Sequence, residues 1–178
     1  GSGIRRTLQR ALLRRWIDRY ATHIVAVGTG AMRASWGANW NRDPRCQVVP
    51  NGLDVTAFQA AIDREAVRRQ LGLPPACTCY LHVGRMIEDK NHLRVVSIFA
   101  QAWRRNPSAR LVLVGKGGGP GEDAVRQAVE ALGIAGAVTF GGERDDVPRL
   151  LQAADLLLFP SRREGLPGVV LDACAAGL

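Results

Sequence analysis

Blocks of hydrophobic and polar positions follow one another along this chain and predict alternating helices and strands. Between residues 4 and 20, apolar residues recur at helical spacing and arginine occupies the opposite face. Short apolar runs at 24–27 and 46–50 predict strands, with a short helix at 29–36 between them. The second strand ends in a Pro-Asn-Gly turn at 50–52, because asparagine and glycine both tolerate positive φ.

From residue 63 onwards, glycine and proline separate the blocks at regular intervals. A helix is predicted at 63–71, and apolar runs then alternate with segments of helical spacing. The predicted strands are 79–83, 110–114, 137–140 and 155–159, and the predicted helices are 91–105, 122–132, 146–153 and 168–176. Strands that are apolar throughout are typical of a parallel sheet covered by helices on both faces. The sequence therefore predicts an α/β fold with a doubly wound parallel sheet, which we interpret as truncated at its C-terminus because another strand is expected after Leu178.

Composition places the chain among globular proteins and excludes several other classes. It has 178 residues, of which 47% are hydrophobic and 22% charged, the balance of an ordinary folded domain. No apolar run reaches the roughly 18 residues that a membrane-spanning helix needs. The cysteines have no metal-ligand spacing and no histidine cluster accompanies them, so we expect reduced thiols in a cytoplasmic protein and no metal site.

Positive charge is concentrated at the start of the chain. The formal net charge is +8, and six arginines lie between residues 5 and 19. Such a stretch is either a solvated helix face or a surface that contacts an anionic membrane. Few aromatic residues are interleaved with these arginines, so a nucleic-acid partner is not expected.

Chemistry is expected just after the strands, because ligands of doubly wound sheets bind outside the carboxyl ends of the strands. After the strand at 79–83, Arg85 and Lys90 place two cations five residues apart, before a helix whose N-terminus adds a positive dipole. Arginine binds oxygens in pairs and lysine acts as a point charge, so this loop is a candidate diphosphate clamp. A solvated loop with an Arg–Asp ion pair explains the same residues equally well.

Two further loops are candidates on weaker grounds. After the second of these strands, the glycine-rich run 115–121 lacks the Walker A frame, and Pro120 breaks the G-x-G-x-x-G pattern. Gly115 leaves room for a ligand at the backbone, although a flexible turn explains most of these glycines. After the third strand, the loop around Arg144 is either a place for a nucleobase or a plain turn in which Asp146 caps the next helix.

The last strand is followed by the most informative phrase, which runs from Pro160 to Gly177. Glu164 precedes a glycine-bearing helix start, where Pro167 suits the first helical turn and free backbone N–H groups suit an anion. Asp172 lies eight residues after Glu164, so both carboxylates are expected to approach a ligand that lies over the helix N-terminus. Each acid is able to accept hydrogen bonds from sugar hydroxyls.

At these residues the chain resembles the retaining glycosyltransferases of family 4, also called glycosyl transferases group 1, which have the GT-B fold. Their E-G-L/F-P-x-x-x-x-E-A-x-A-x-G motif corresponds to residues 164–177, with Asp172 in place of the second glutamate. Their P-N-G-V/I-D segment corresponds to 50–54, and their preceding A-D-x-I-I-A-V-S strand is similar to 21–28. Their G-R-x…K-G/N diphosphate clamp corresponds to Gly84, Arg85, Lys90 and Asn91.

The resemblance implies a two-domain layout. Residues 1–50 correspond to the tail of an N-terminal, acceptor-side Rossmann-like domain. Residues 51–178 correspond to a C-terminal, donor-binding Rossmann-like domain, the second half of a GT-B fold, which is incomplete here.

The resemblance also implies a reaction. A sugar is transferred, with retention, from a UDP-, GDP- or ADP-sugar to a lipid-linked or surface glycan. No metal or other cofactor is implied, because two cations and a helix dipole serve the diphosphate. The fragment is expected to be inactive by itself and cytoplasmic, and contact of the arginine-rich residues 5–19 with the inner face of an anionic membrane is a further hypothesis.

The same resemblance assigns roles to the site residues. Arg85 and Lys90 hold the donor diphosphate and stabilise its developing charge, and Glu164 contacts the donor sugar, so these three are candidate catalytic residues. Asp172 contacts the ribose, which this shorter acid is expected to reach less well than glutamate, and the loop around Arg144 flanks the base. The other candidate donor-binding residues, which act through their backbone, are Gly84, Gly115, Gly165, Leu166, Pro167 and Gly168.

Two other function classes explain part of the same pattern. A non-catalytic nucleotide- or nucleotide-sugar-binding module has the same fold, because function resides in sites and not in folds. A nicotinamide dinucleotide-binding domain is disfavoured, since the intact G-x-G-x-x-G and the acidic residue after the next strand are both absent from the sequence.

Overall fold

The computed structural model describes residues 2–178, with the side chains of residue 9 and residues 11–178. Contacts within the chain divide it into two compact units, and the division falls between Gly52 and Leu53. The boundary predicted from the sequence lies two residues earlier, and the assignment of the two parts to acceptor-side and donor-binding domains stays a prediction. The predicted helix positions whose side chains lie outside the described part are Ile4, Arg5, Arg6, Leu8 and Arg10.

The first unit contains a pair of parallel strands with a helix between them. Helix α1 (Ser2–Tyr20) leads into strand β1 (Ile24–Ala26), and helix α2 (Thr29–Trp36) connects β1 to strand β2 (Cys46–Val48). In the strand pair, Ile24 is opposite Cys46. These elements confirm the predicted helices and strands of this region, and the second strand is shorter than its apolar run.

The apolar residues of α1 are left uncovered within this unit. Leu12, Leu13, Trp16 and Tyr20 are each more than half exposed, with Trp16 at 68%. The helical spacing of these residues therefore predicts the helix correctly, but the unit provides no core against which the helix packs them.

The second unit is a parallel sheet with helices on both faces. Its strands are β3 (Cys79–Val83), β4 (Arg110–Val114), β5 (Val138–Gly142) and β6 (Leu156–Leu157), and its helices are α3 (Arg64–Gln70), α4 (His92–Arg105), α5 (Pro120–Ala131), α6 (Val147–Ala153) and α7 (Gly168–Ala175). The strands pair in parallel in the order β5-β4-β3-β6. The predicted doubly wound α/β fold is confirmed for the described residues.

Alternate residues of β4 show how the two faces of the sheet are covered. Leu111 and Leu113 pack in one buried cluster with residues of α4 and α5, among them Phe99. Val112 and Val114 pack in a second buried cluster with residues of α3, α6 and α7. Because both faces of β4 are covered, the strand is apolar at every one of these positions.

Strand β6 is shorter than predicted and lies at the edge of the described sheet. The sequence predicts a strand at 155–159, whereas only Leu156 and Leu157 pair with β3. Leu156 is 45% exposed, so an apolar run of this kind is not sufficient to predict burial on both faces.

The Asp155 carboxylate is the centre of a charge network at the amino ends of β3 and β6. Arg68, whose side chain is only 7% exposed, donates to this carboxylate at 2.7 Å and to the Ala153 carbonyl at 2.9 Å. Arg64 pairs with the same carboxylate. Burial raises the pKa of Asp155, but the hydrogen bond from the Cys79 amide and the two arginines outweigh it and hold the pKa below its ordinary value. The network attaches α3 to the sheet.

The loops after β3 and β4 run side by side because Gly115 has no side chain that would hold them apart. The Gly84 amide donates to the Val114 carbonyl at 2.8 Å and the Met86 amide to the Lys116 carbonyl at 2.9 Å, so parallel pairing continues beyond the strands. Gly115 has φ +140°, and a Cβ on it would overlap the Gly84 carbonyl. Only glycine fits such a position. This contact between loops accounts for Gly115 without a ligand, and its contact with a donor stays a prediction.

Replacing Gly115 by alanine is expected to lower the free energy of unfolding by about 2 kcal/mol or more, because the new Cβ meets backbone atoms. Gly118 has φ +97° with open space around it, so Gly118→Ala is expected to cost about 1 kcal/mol. Gly136→Ala, which meets neither obstacle, is the control. Urea unfolding followed by circular dichroism measures all three, and equal midpoints for Gly115→Ala and Gly136→Ala contradict the close approach.

Candidate functional site

The candidate site is formed by the loops that leave the carboxyl ends of β3 and β6. Residues 84–91 connect β3 to α4, and the later loop connects β6 to α7. The Arg162 amide donates to the Asp89 carbonyl at 2.8 Å, and the Asn91 side chain donates to the Pro160 carbonyl at 3.1 Å. These bonds to backbone carbonyls join two segments that are far apart in the sequence.

Lys90 and Glu164, which the sequence places in two separate motifs, are in direct contact. The Lys90 ammonium donates to the Glu164 carboxylate at 2.6 Å, and the two side chains are 22% and 24% exposed. The ammonium also lies 5.5 Å from the centre of the Phe159 ring, within the range of a cation–π interaction. The fold therefore brings together two of the three predicted catalytic residues.

Two more ion pairs join the same loops. Glu88 pairs with Arg162 at 2.7 Å, and Asp89 pairs with Arg163 at 3.4 Å. Together with the lysine–glutamate pair they form a series in which Glu-Asp-Lys faces Arg-Arg-Glu, and we call these three pairs the ionic clasp. The complementary order of charges is visible in the sequence, but no local signal indicates that segments 74 residues apart meet.

Arg85, the third predicted catalytic residue, combines a fixed backbone with an exposed side chain. Its carbonyl accepts a hydrogen bond from the Ile87 amide at 2.8 Å. The preceding residue, Gly84, packs against Gly115 of the neighbouring loop. The side chain of Arg85 is exposed to solvent. An exposed guanidinium on a fixed backbone is available to an anion.

Arg144 is engaged by a neighbouring carboxylate. Its guanidinium donates two hydrogen bonds of 2.7 Å to Asp146 and holds the pKa of that carboxyl below its ordinary value. Asp146 is the N-cap residue of α6, so the predicted Asp N-cap is confirmed in position, but its carboxylate is bound by Arg144 and makes no side-chain cap bond. Beside Arg144, the loop therefore offers its backbone to a ligand more readily than the paired guanidinium.

Residues 165–168 form the entry to α7. Pro167 is the N-cap and Gly168 is the first helical residue, so Pro167 precedes the first turn, whereas the sequence analysis places it inside that turn. Proline has no backbone N–H, and the Pro167 carbonyl accepts a hydrogen bond from Val170 at 3.1 Å. Backbone donors in this segment therefore belong to Gly165, Leu166 and Gly168.

Asp172 lies one turn into α7. Its side chain is half-buried, and burial raises the pKa of its carboxyl above the ordinary value. A carboxyl that has lost hydration gains more from accepting a ligand hydroxyl than an exposed one does. Its contact with a ribose stays a prediction.

The described part of the chain has neither a group of metal-ligating side chains nor a helix suited to span a membrane. Among these residues, no three of the types His, Cys, Asp and Glu are grouped so that they could hold a metal ion. The cysteines are unpaired thiols, of which Cys77 and Cys79 are buried. Of the helices that the structure describes, none combines the length and the apolar character that a bilayer crossing requires.

Comparison with curated proteins finds close relatives. EpsF of Bacillus subtilis (strain 168) is 32% identical over 175 residues, which cover 96% of this chain and 44% of that protein. A D-inositol 3-phosphate glycosyltransferase of Segniliparus rotundus is 32% identical over 140 residues, which cover 76% of this chain and 31% of that protein. The chain thus spans less than half the length of these curated relatives.

Solved structures share the fold of the chain. HepE of Anabaena, solved with UDP and glucose, matches with a TM-score of 0.84 at 24% identity, over 94% of this chain and 46% of HepE. WaaG, a glycosyltransferase involved in lipopolysaccharide biosynthesis, matches with a TM-score of 0.74 at 28% identity, over 86% of this chain and 42% of WaaG. The α/β architecture is that of the Rossmann-like domains of GT-B glycosyltransferases. A family model described as glycosyl transferases group 1 matches residues 63–178, more than half of the chain, and the chain belongs to that family.

Proposed function

We propose that the chain is the nucleotide-sugar-binding part of a retaining glycosyltransferase of family 4. The observation that carries this proposal is the contact between Lys90 and Glu164 at the carboxyl end of a parallel sheet, with Arg85 in the same loop as Lys90. Glycosyl transfer needs positive charge at the leaving diphosphate and a hydrogen-bond acceptor at the sugar, and ligands bind at this edge of such sheets. The sugar passes from a nucleoside diphosphate to an acceptor with its anomeric configuration retained.

Arg85 and Lys90 supply the electrostatic part of this chemistry. As the glycosidic bond breaks, the sugar becomes oxocarbenium-like and the diphosphate gains negative charge. Preorganised hydrogen-bond donors aimed at such charge contribute on the order of 3 kcal/mol each. The N-terminus of α4 adds its dipole to the two cations. Because these groups balance the charge of the leaving group, we propose transfer without a metal or other cofactor.

Donor binding at Lys90 is an exchange of partners. A phosphate oxygen takes the place of the Glu164 carboxylate at the ammonium, and the carboxylate then accepts hydrogen bonds from hydroxyls of the donor sugar. Both side chains are partly exposed, and ion pairs of this kind contribute at most about 1 kcal/mol to stability. The exchange therefore costs the fold little.

The remaining candidate residues complete the donor site around the nucleoside and the phosphates. Asp172 accepts hydrogen bonds from the ribose hydroxyls. The loop around Arg144 flanks the base with its backbone, because Asp146 holds the guanidinium. Free backbone N–H groups toward the sugar and the phosphates come from Gly165, Leu166 and Gly168, next to Pro167, which has none. The amides of Gly84 and Gly115 donate to Val114 and Gly142, so these two glycines contribute the close approach of their backbone and not a free donor.

The similar proteins support a nucleotide-sugar donor, and the names of two of them favour two different classes of acceptor. HepE has been solved with UDP and with UDP-glucose, and we propose a UDP-, GDP- or ADP-sugar as the donor of this chain. The involvement of WaaG in lipopolysaccharide biosynthesis supports a lipid-linked or surface glycan as the acceptor. The relative from Segniliparus rotundus is named for D-inositol 3-phosphate, which makes small phosphorylated polyols the competing class of acceptor.

Transfer itself is expected to require the acceptor-side domain, which closes over the donor in enzymes of two-domain construction. A non-catalytic nucleotide-binding module is the alternative function. Donor binding without sugar transfer by the full-length protein favours that alternative.

Calorimetric titration of this chain with UDP, GDP and ADP and with their glucose conjugates, in metal-free buffer, tests the donor site. One nucleotide is expected to bind, and Arg85→Ala is expected to weaken that binding about tenfold or more, because a charged hydrogen-bond donor to the diphosphate is lost. Arg105→Ala is the matched control, since it removes an exposed arginine at the other end of α4. Equal affinities of the two variants show that Arg85 does not contact the nucleotide. A folded chain that binds no nucleotide contradicts the proposed donor site.

Asp172→Glu tests the ribose contact in the same titration. The longer side chain is expected to tighten nucleotide binding severalfold, because it reaches the ribose hydroxyls directly. The gain is expected to vanish with the 2′-deoxy nucleotide, which lacks one of these hydroxyls. Unchanged or weaker binding of the ribonucleotide by Asp172→Glu contradicts the role of Asp172.

We further propose that the first unit contacts the inner face of an anionic membrane, as part of a cytoplasmic protein. Trp16 and Tyr20 are exposed on α1, where Arg15 and Arg19 are also exposed. Aromatic rings favour the headgroup region, and arginine is attracted to anionic lipid.

The chain is expected to co-sediment with phosphatidylserine vesicles, and the double variant Arg15→Glu, Arg19→Glu is expected to remain in solution. Equal recovery of the chain with phosphatidylserine and with phosphatidylcholine vesicles contradicts this proposal.

A further inference from the structure

Two buried histidines lie beneath the loop that carries Lys90, and the proposed chemistry does not use them. His82 in β3 is 0% exposed, and His92, the first residue of α4, is 3% exposed. Their rings stand edge to face, with centres 4.5 Å apart and planes at 88°. Burying imidazole nitrogens costs desolvation free energy unless they form hydrogen bonds. An apolar side chain of similar size would fill the same space without that cost.

His82 connects β3 to the loop that carries Glu164. Its Nδ1 lies 2.7 Å from the Leu158 carbonyl oxygen, and because a carbonyl only accepts, Nδ1 has the proton and donates. The Leu158 amide donates to the Leu81 carbonyl at 2.8 Å. Both backbone polar groups of Leu158 are therefore held by β3, at the point where the chain leaves the sheet toward Glu164.

The other ring nitrogens of the pair lie close to Gly84 and Lys90. Nε2 of His82 and both nitrogens of His92 are buried and make no hydrogen bond of good geometry among the described residues, although the Gly84 backbone lies close enough to His92 to favour its protonation. Nε2 of His82 is 3.6 Å from the place of a Cβ on Gly84, and Cδ of Lys90 is 3.2 Å from that same place. His82 and the Lys90 stem therefore both lie against Gly84, and His92 packs on the His82 ring.

Both rings are neutral in these surroundings. Burial lowers the pKa of His82 to about 4, and burial also lowers the pKa of His92. The titratable or charged groups that act on the pair are the two rings themselves and Lys90, while the Leu158 and Gly84 backbones favour protonation. A further positive charge beneath Lys90 is therefore disfavoured, and the rings present an uncharged surface to the ammonium.

We propose that His82 and His92 are positioning residues for the Lys90–Glu164 pair, in which neutral imidazoles fix the loops that bring a nucleoside diphosphate against Lys90. His82 fixes the Glu164 loop through Leu158, and His92 supports the Lys90 loop beneath Gly84. The ligand in this proposal rests on the donor site proposed above, whereas the fixing of the two loops is independent of it.

His92→Leu separates a positioning role from a core-filling role. Leucine has nearly the volume of histidine and removes two buried nitrogens that make no hydrogen bond of good geometry, so the free energy of unfolding is expected to be unchanged or higher. A positioning role predicts that UDP affinity nevertheless falls about tenfold, while uridine, which has no diphosphate, binds as it does to the wild type. Phe99→Leu is the matched control, because Phe99 is buried two turns further along α4. This control is expected to lower stability and leave UDP affinity unchanged.

Hydrogen exchange of the chain without nucleotide supplies a readout that does not depend on the donor site. Faster exchange of the amides at 85–91 and 158–164 in His92→Leu, with the remaining strands unchanged, supports the positioning role. Unchanged exchange in these loops overturns it, as does an unchanged affinity for UDP. If the wild type binds no UDP, the donor proposal fails and the exchange result still decides this one.

A replacement variant and a titration of the histidine ring resonances complete the test. If His92→Leu does not fold, His92→Met takes its place, since a flexible methionine side chain fits irregular cavities. In the wild type, the ring resonances of His82 are expected to stay nearly constant between pH 7 and pH 5, because burial lowers its pKa to about 4. His92 is expected to titrate with a midpoint below the ordinary histidine value, because burial lowers its pKa as well. A midpoint for His82 between pH 5 and pH 7, or one for His92 at or above the ordinary value, contradicts the neutral pair.

Discussion

The candidate site depends on the close packing of Gly115 against the Gly84–Arg85 peptide. Because position 115 has no Cβ, the loops after β3 and β4 continue the hydrogen bonding of the sheet beyond the strands themselves. The residues on both sides of Arg85 are therefore hydrogen-bonded to the neighbouring loop, although its own side chain is exposed. A short loop from this fixed point then leads into α4, so the place of Lys90 follows from the place of Gly84. Sites on rigid elements hold their geometry better than sites on free loops.

The ionic clasp is suited to exchange and not to stability. Its pairs are partly or largely exposed, and exposed ion pairs contribute little because water and salt screen them. Hydrogen bonds to backbone carbonyls, from the Arg162 amide and from Asn91, hold the two loops together independently of the charges. A diphosphate that displaces one carboxylate from one cation therefore leaves the loops in place. Preorganised loops with exchangeable charges are what anion binding at this edge requires.

Periodicity and the spacing of glycine and proline were sufficient to predict the helices, the strands and the sheet class, since these follow from local steric and burial rules. The extent of β6 was predicted less well, since the amides of Asp155 and Leu158 still donate to β3 but only Leu156 and Leu157 form the strand. In the site, Arg85, Lys90 and Glu164 were identified from motifs at strand ends. The ionic clasp, the engagement of Arg144 by Asp146 and the stacking of His82 on His92 were missed. Each of these is set by side-chain geometry in the folded chain, which the spacing of residues along the sequence does not encode.

Charge is arranged differently at the two ends of this sheet. At the amino ends of β3 and β6, Asp155 is held by the Cys79 amide, by Arg64 and by the nearly buried Arg68, whose guanidinium would lose its carboxylate partner away from water if Asp155 were removed. At the carboxyl ends, the Lys90–Glu164 pair is partly exposed and has water as an alternative partner. A permanent charge network therefore lies where the strands begin, and replaceable charges lie where they end. A doubly wound sheet that binds anions needs this separation, because the interactions that a ligand displaces are then not the ones that hold the helices on the sheet.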